Sequence, residues 1–147
     1  MNLLNPTNDP GRLTLILRLG ASKVREVLPP IVEAIKKDQL NVTWVSDAVH
    51  GNTYITDTNF KVRDVDTILK ELITVNEVLE ENDQILGGIH LEASGENVTE
   101  CLGGITQTTN EDLVKNYATY CDPRLNFVQT LYVVHKFCRS IQKGREL

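Results

Sequence analysis

Short runs of consecutive apolar residues alternate along this chain with longer stretches in which apolar positions return every third or fourth residue. The run "RLTLILRLG" is of the first kind and stops at Gly20, which predicts a strand buried on both faces from Leu13 to Arg18. The next segment, "ASKVREVLPPIVEAIKKDQ", places Val24, Val27, Leu28, Ile31, Val32 and Ile35 at helical spacing, with Ser22 as candidate N-cap and Pro29-Pro30 as the point of a break or restart. A second apolar run, Asn41 to Asp47, predicts another strand, and "HGNTYITDTNF" after it predicts a loop. "KVRDVDTILKELITVNEVLEEND" is the clearest helix, since Val62, Val65, Ile68, Leu69, Leu72 and Val75 form one stripe. "QILGGIHLEASG" predicts a third strand and "ATYCD" a weaker fourth. A short helix capped by Asn110 lies between them, and a last amphipathic helix from Leu125 to Gln142 carries Val128, Leu131, Tyr132, His135 and Cys138. Strands apolar on both faces, alternating with helices, form the pattern of βαβ units with a parallel sheet, so the expected class is α/β.

Composition narrows the function classes. A chain of 147 residues, 41% hydrophobic and 24% charged, is the size of one domain (residues 1–147) with a buried core. The formal net charge of -5 argues against a reader of nucleic-acid phosphates. The expectation is a cytoplasmic protein, because the sequence contains neither a long apolar run nor a basic flank leading into one. Cys101, Cys121 and Cys138 contain no C-x-x-C pair, which fits reduced thiols better than a disulfide framework or a zinc ribbon.

In parallel α/β folds the chemistry gathers at the carboxyl ends of the strands. Those ends carry Arg18, Asp47 with His50, His90 with Glu92, and Cys121 with Asp122. An imidazole converging with two or three carboxylates suits manganese, cobalt, iron or zinc better than magnesium. Each residue also has a plainer reading. His50 is then a loop residue, Glu92 a surface carboxylate on an edge strand, and Asp122 an N-cap before "PRLN". His90 reads as a satisfied core histidine or as a support for Glu92, Cys121 as a small buried hydrophobe or a redox-active thiol near the site, and Trp44 as packing. Lys61 and Arg63 read as the solvated start of a helix. Arg18, set between "LTLIL" and "LG", must reach solvent or meet an anion. "SGENVTECLGG" offers backbone amides to a phosphate but matches no P-loop pattern.

The segments "DPGRLTLILRLGASKVREVLPPIVEAI", "HGNT", "GGIHLEASGENVTECLGG" and "CDPRLN" resemble, in order, the carboxyl-terminal half of class II 3-deoxy-D-arabino-heptulosonate 7-phosphate (DAHP) synthase. The resemblance runs from about Asn5 to about Val134. It implies a metal-dependent transferase of the shikimate pathway, which leads to the aromatic amino acids, condensing phosphoenolpyruvate with erythrose 4-phosphate on a (β/α)8 TIM barrel. Carried over residue by residue, it makes His50, Glu92 and Asp122 ligands of a divalent metal, manganese or cobalt, and Arg18 a contact of phosphoenolpyruvate.

Departures from the family pattern lie at the site. Ser46-Asp47-Ala48-Val49 stands where the family has Cys-Asp-Pro-Met, "RLG" where it has Arg-Met-Gly, and Asn59 where a glycine is usual. A fourth ligand, a cysteine, and most of the family's basic phosphate-binding residues belong to an amino-terminal half that these residues do not include. The implied object is half a barrel, a fragment or split subunit inactive alone, paired with a second copy or with a complementing amino-terminal half. The alternative is a non-catalytic metal- or anion-binding regulatory subunit, or a relic, that associates with a full-length synthase. An unrelated small α/β metal-binding domain is a third.

Overall fold

The computed structural model describes residues 3–145 and shows a mixed α/β architecture. Strands β1 (Thr14–Leu17), β2 (Thr43–Ser46) and β5 (Leu86–Ile89) form a parallel sheet in the order β1-β2-β5. Helices α1 (Val24–Lys37) and α2 (Val65–Glu81) supply the crossovers and pack against each other. Side chains alternate along a strand. Leu15 and Leu17 therefore turn toward α1 and join the core of Val24, Leu28, Val32, Trp44, Val75 and Leu79. Each such aliphatic side chain, once fully buried, contributes about 1.5–3 kcal/mol. The other face of β1 is not covered as the sequence pattern predicts: Ile16 is 53% exposed.

Several boundaries differ from the sequence reading. Pro29 and Pro30 sit inside an unbroken α1. Proline at these positions deprives the carbonyls of Arg25 and Glu26 of their helical donors. Arg25 and Glu26 are exposed, and buried Leu28 and Val32 hold the helix on the sheet. The stretch expected as a loop holds β3 (Thr53–Ile55), which pairs antiparallel with β4 (Lys61–Asp64). The hairpin turns at Asn59, whose φ of 64° favours glycine or asparagine and accounts for the asparagine tolerated there. Lys61 to Asp64 is therefore strand, and α2 starts at Val65, where the Asp64 carboxylate accepts from Thr67 N at 2.7 Å.

Further along, β4 pairs in parallel with β6 (Cys101–Leu102). The fourth strand expected at Ala118–Asp122 does not form; the nearest parallel pairing is a single bridge between Ala93 and Leu125. The short helix is a 3-10 segment, Asn110–Lys115, capped by Thr109 in a capping box with Asp112 rather than by Asn110. Helix α3 (Phe127–Arg145) begins where Asn126 and Gln129 exchange backbone and side-chain hydrogen bonds. It buries Val133 and Phe137, and leaves Val128 and Leu131 of the expected apolar stripe about half exposed.

Candidate metal centre

Two glycines let the loops after β1 and β2 touch. A Cβ on Gly51 would lie 2.6 Å from the Gly20 nitrogen, and Gly20 has a φ of 84°, so neither position accepts a side chain without displacement. Asn52 fastens the contact, accepting from Ala21 N at 3.0 Å and donating to Ala48 O at 2.7 Å. It also donates to Glu71 Oε2 at 2.6 Å, and Glu71 accepts from Leu19 N at 3.2 Å. This network sets the end of β1, with Arg18, beside the one-turn 3-10 segment His50–Asn52.

The side chains of His50, Glu92 and Asp122 meet at the carboxyl ends of the sheet, where one donor atom from each lies within 4.8 Å of the other two. His50 Nε2 is 3.4 Å from Glu92 Oε2, while Nδ1 on the other side of the ring is 2.8 Å from Asp47 Oδ2. A carboxylate only accepts, so Nδ1 carries the proton of that pair, and Nε2, on the side of Glu92, is the nitrogen left to offer a lone pair to a metal. Two facing acceptors with a second carboxylate beside them form a pocket for a cation. One imidazole nitrogen with carboxylate oxygens fits manganese, cobalt, iron or zinc. Asp47, His50 and His90 satisfy the same distance test, sharing the His50 ring.

Positive charge surrounds these carboxylates. Arg63 is fully buried on β4: Nε donates to Thr53 Oγ1 at 2.9 Å, and Nη1 donates to Glu92 Oε2 at 2.7 Å and to the Pro123 carbonyl. Lys61 Nζ lies 2.5 Å from Asp122 Oδ1, and this bond holds the Asp122 carboxyl below its usual range. Arg18 Nε meets Asp47 Oδ2 at 2.7 Å, with the Arg18 side chain 54% exposed and Asp47 buried. Burial alone would push the Asp47 carboxyl up, but the His50 hydrogen bonds and the Arg18 charge outweigh it and hold the group low.

The structure thus brings His50, Glu92 and Asp122 together and sets Arg18 beside them through Asp47. It corrects four plainer readings. Asp122 pairs with Lys61 instead of capping a helix, since α3 begins five residues later at Phe127. His90 is exposed, its ring centroid 6.2 Å from that of His50, and is no core histidine. Cys121 is exposed, whereas Cys101 is the buried thiol, its pKa pushed up to about 12 by burial. Arg63 is the functional neighbour that sequence reasoning missed. The one signal for it was its place beside Val62 after a turn-forming Asp-Thr-Asn, which marks a hairpin strand rather than a helix start. Trp44 packs in the core as expected, its Nε1 donating to Gln84 Oε1 at 3.1 Å.

Over 128 residues, 87% of its length, the chain is 48% identical to the phospho-2-dehydro-3-deoxyheptonate aldolase AroG of Mycolicibacterium smegmatis. It is 44% identical over the same length to the phospho-2-dehydro-3-deoxyheptonate aldolase of Streptomyces coelicolor. The chain spans 28% of the length of each of these relatives. Residues 1–138 match the Class-II DAHP synthetase family, and the chain belongs to that family.

Proposed function

We propose that this chain forms the metal-holding part of a class II DAHP synthase, the enzyme that joins phosphoenolpyruvate to erythrose 4-phosphate. The observation that carries the reading is the meeting of one donor atom each from His50, Glu92 and Asp122 within 4.8 Å, with His50 and Glu92 following the parallel strands β2 and β5. These residues hold a divalent ion, manganese or cobalt. Bound there, the ion supplies Lewis-acid polarisation of the erythrose 4-phosphate aldehyde. Arg18 uses Nε on Asp47, which leaves the outer edge of its fork for the carboxylate or phosphate of phosphoenolpyruvate. Arg63 and Lys61 keep Glu92 and Asp122 in place and offset their charge.

The sheet is read as part of a (β/α)8 barrel, within a single domain spanning residues 1–147. Supporting this are the exposed inner residue Ile16 and the outer edges of β1 and β5, which pair with no strand among the described residues. The chain alone is expected to be inert as a synthase. Both substrates carry phosphate, Lys61 and Arg63 at the site are already paired with Asp122 and Glu92, and positioning supplies much of the rate. A complementing amino-terminal half, or a second copy of the chain, completes the site in this reading.

Cobalt titration followed by visible absorption tests the metal site. Saturable binding is expected for the chain and its loss for His50→Ala; equal binding by both proteins would end the reading. Phosphate release from the two substrates tests the second claim. Turnover is expected when an amino-terminal half of a relative is added, and steady turnover by the chain alone would refute the need for one.

A further inference from the structure

The strand-end cluster contains one carboxylate that takes no part in the proposed ligand set and yet is wholly enclosed: the side chain of Asp47 has no exposed surface. An enclosed carboxylate must be matched by donors. Asp47 has two side-chain donors, and they share its Oδ2. Oδ2 receives Arg18 Nε at 2.7 Å, and the carboxylate receives His50 Nδ1 at 2.8 and 2.9 Å. The His50 backbone N adds a longer bond to Oδ1 at 3.3 Å. The other face of the imidazole, Nε2, is the atom turned to Glu92. Arg18, Asp47 and His50 are therefore linked in series, with the metal-facing nitrogen at one end and an arginine side chain 54% exposed at the other.

We propose that Asp47 is a positioning residue for the metal centre, and that Arg18 acts on the metal through it. This rests on the site reading given above. Asp47 fixes the ring plane of His50 and selects the tautomer with the proton on Nδ1, so that Nε2 offers its lone pair toward Glu92 and Asp122. Arg18 fixes Asp47 in turn. Loss of such a carboxylate partner typically weakens a metal site by about 10- to 100-fold.

Arg18 separates this relay from bulk electrostatics, because the two predict opposite signs. A cation near a metal site repels the ion, so removing the Arg18 charge should tighten cobalt binding if charge alone matters. Under the relay, Arg18→Gln frees Asp47, loosens His50 and weakens binding. The experiment is cobalt titration of the chain and of Arg18→Gln, Asp47→Asn, Asp47→Asn with Arg18→Gln, and His50→Ala. Expected are a severalfold loss for Arg18→Gln, a larger loss for Asp47→Asn, and no further loss when Arg18→Gln is added to Asp47→Asn. Unchanged or tighter binding by Arg18→Gln overturns the proposal. Unchanged binding by His50→Ala instead refutes the metal site itself, so the two failures are distinguishable. Should the Asp47 variant not fold, nitrogen NMR of the unsubstituted, metal-free chain decides at a pH where His50 is neutral. The Nδ1-protonated tautomer is expected, and the Nε2-protonated tautomer overturns the proposal.

Discussion

Glu71 and Glu100 are both wholly buried glutamates, and they titrate in opposite directions. Glu71 lies beneath the turn that carries His50, and its donors are neutral: the amides of Leu19 and Gly20 and the side chain of Asn52. Burial dominates, the nearby Asp47 charge adds to it, and the carboxyl is pushed up. Glu100, before β6, faces the same cost of burial, but Arg124 meets it with Nε at 3.0 Å and Nη2 at 2.7 Å. The amides of Arg124 and Ala118 complete the set, and the carboxyl is held low. Glu100 is thus a saturated clamp between the β6 segment and the loop before α3. Beneath the candidate site Glu71 has no cation, whereas Asp47 beside it has two side-chain donors, Arg18 and His50. The difference separates a carboxylate clamped by a cation from one enclosed with neutral donors alone beneath the candidate site.

Removing the cation of the clamp should produce the largest effect. Arg124→Met leaves Glu100 enclosed with only amide donors, a change that costs about 3–5 kcal/mol. Asn52→Leu removes one neutral donor from Glu71 and should cost about 1–3 kcal/mol. Thermal unfolding of the two variants checks the order; for a domain of this size the first should lower Tm by on the order of 10 °C. Equal losses would mean that the two carboxylates are held alike.

The opposed shifts also shape the pH dependence. Glu100 has a folded pKa below its unfolded value, so its contribution is present above about pH 4.3 and lost as pH falls through the folded value. Glu71 has a folded pKa above its unfolded value, so its contribution is present below about pH 4.3 and lost as pH rises through the folded value. Urea unfolding across pH should therefore show stability growing as pH falls toward about 4.3, while Glu71 takes up its proton, and falling at lower pH as Glu100 loses its charge. In Glu71→Gln the growth on the neutral side should vanish. A wild-type profile that falls steadily from pH 7 contradicts the burial of Glu71 as a charge without a cation.

How much of this was legible in the sequence depended on where each residue finds its partners. Strands β1 and β2 and helix α1 were legible because "LTLIL", "NVTWV" and the Val24 to Ile35 stripe bury themselves locally, against one another. The hairpin was not, since "TYI" and "KVRD" have no apolar alternation and owe their pairing to the turn at Asn59. Helix α3 misled because half of its apolar stripe, including Val128 and Leu131, stays exposed while polar Gln129 goes inside to donate to Cys101 O at 2.9 Å. His50 and Glu92 follow the parallel strands β2 and β5 and were readable as strand-end residues, whereas Asp122 follows no strand, because the one expected before it does not form. Arg63 was not readable, because its partners Thr53, Glu92 and Pro123 come from three separate segments, and a lone arginine in a sequence gives no sign of being enclosed.

The smallest predicted effect lies at the end of β2, where the site departs from its family. Ser46 stands where the family resemblance has a cysteine, and its buried Oγ finds no hydrogen-bond partner. An enclosed hydroxyl without a partner costs on the order of 1–3 kcal/mol, whereas a thiol in the same place behaves as a small hydrophobe. The backbone is not at issue, because Ser46 pairs with Leu17 on one side and Ile89 on the other, and its carbonyl accepts from His90 N at 2.8 Å. Ser46→Ala removes only the hydroxyl and should stabilise the chain by about 1 kcal/mol, less than the full penalty because the cavity left by the oxygen gives some of it back. Ser46→Cys should do the same while filling the space. Denaturant midpoints at constant slope measure both. If either substitution lowers the midpoint by as much, the Ser46 hydroxyl has a partner in solution, and the carboxyl end of β2 is as well compensated as the Glu100 clamp.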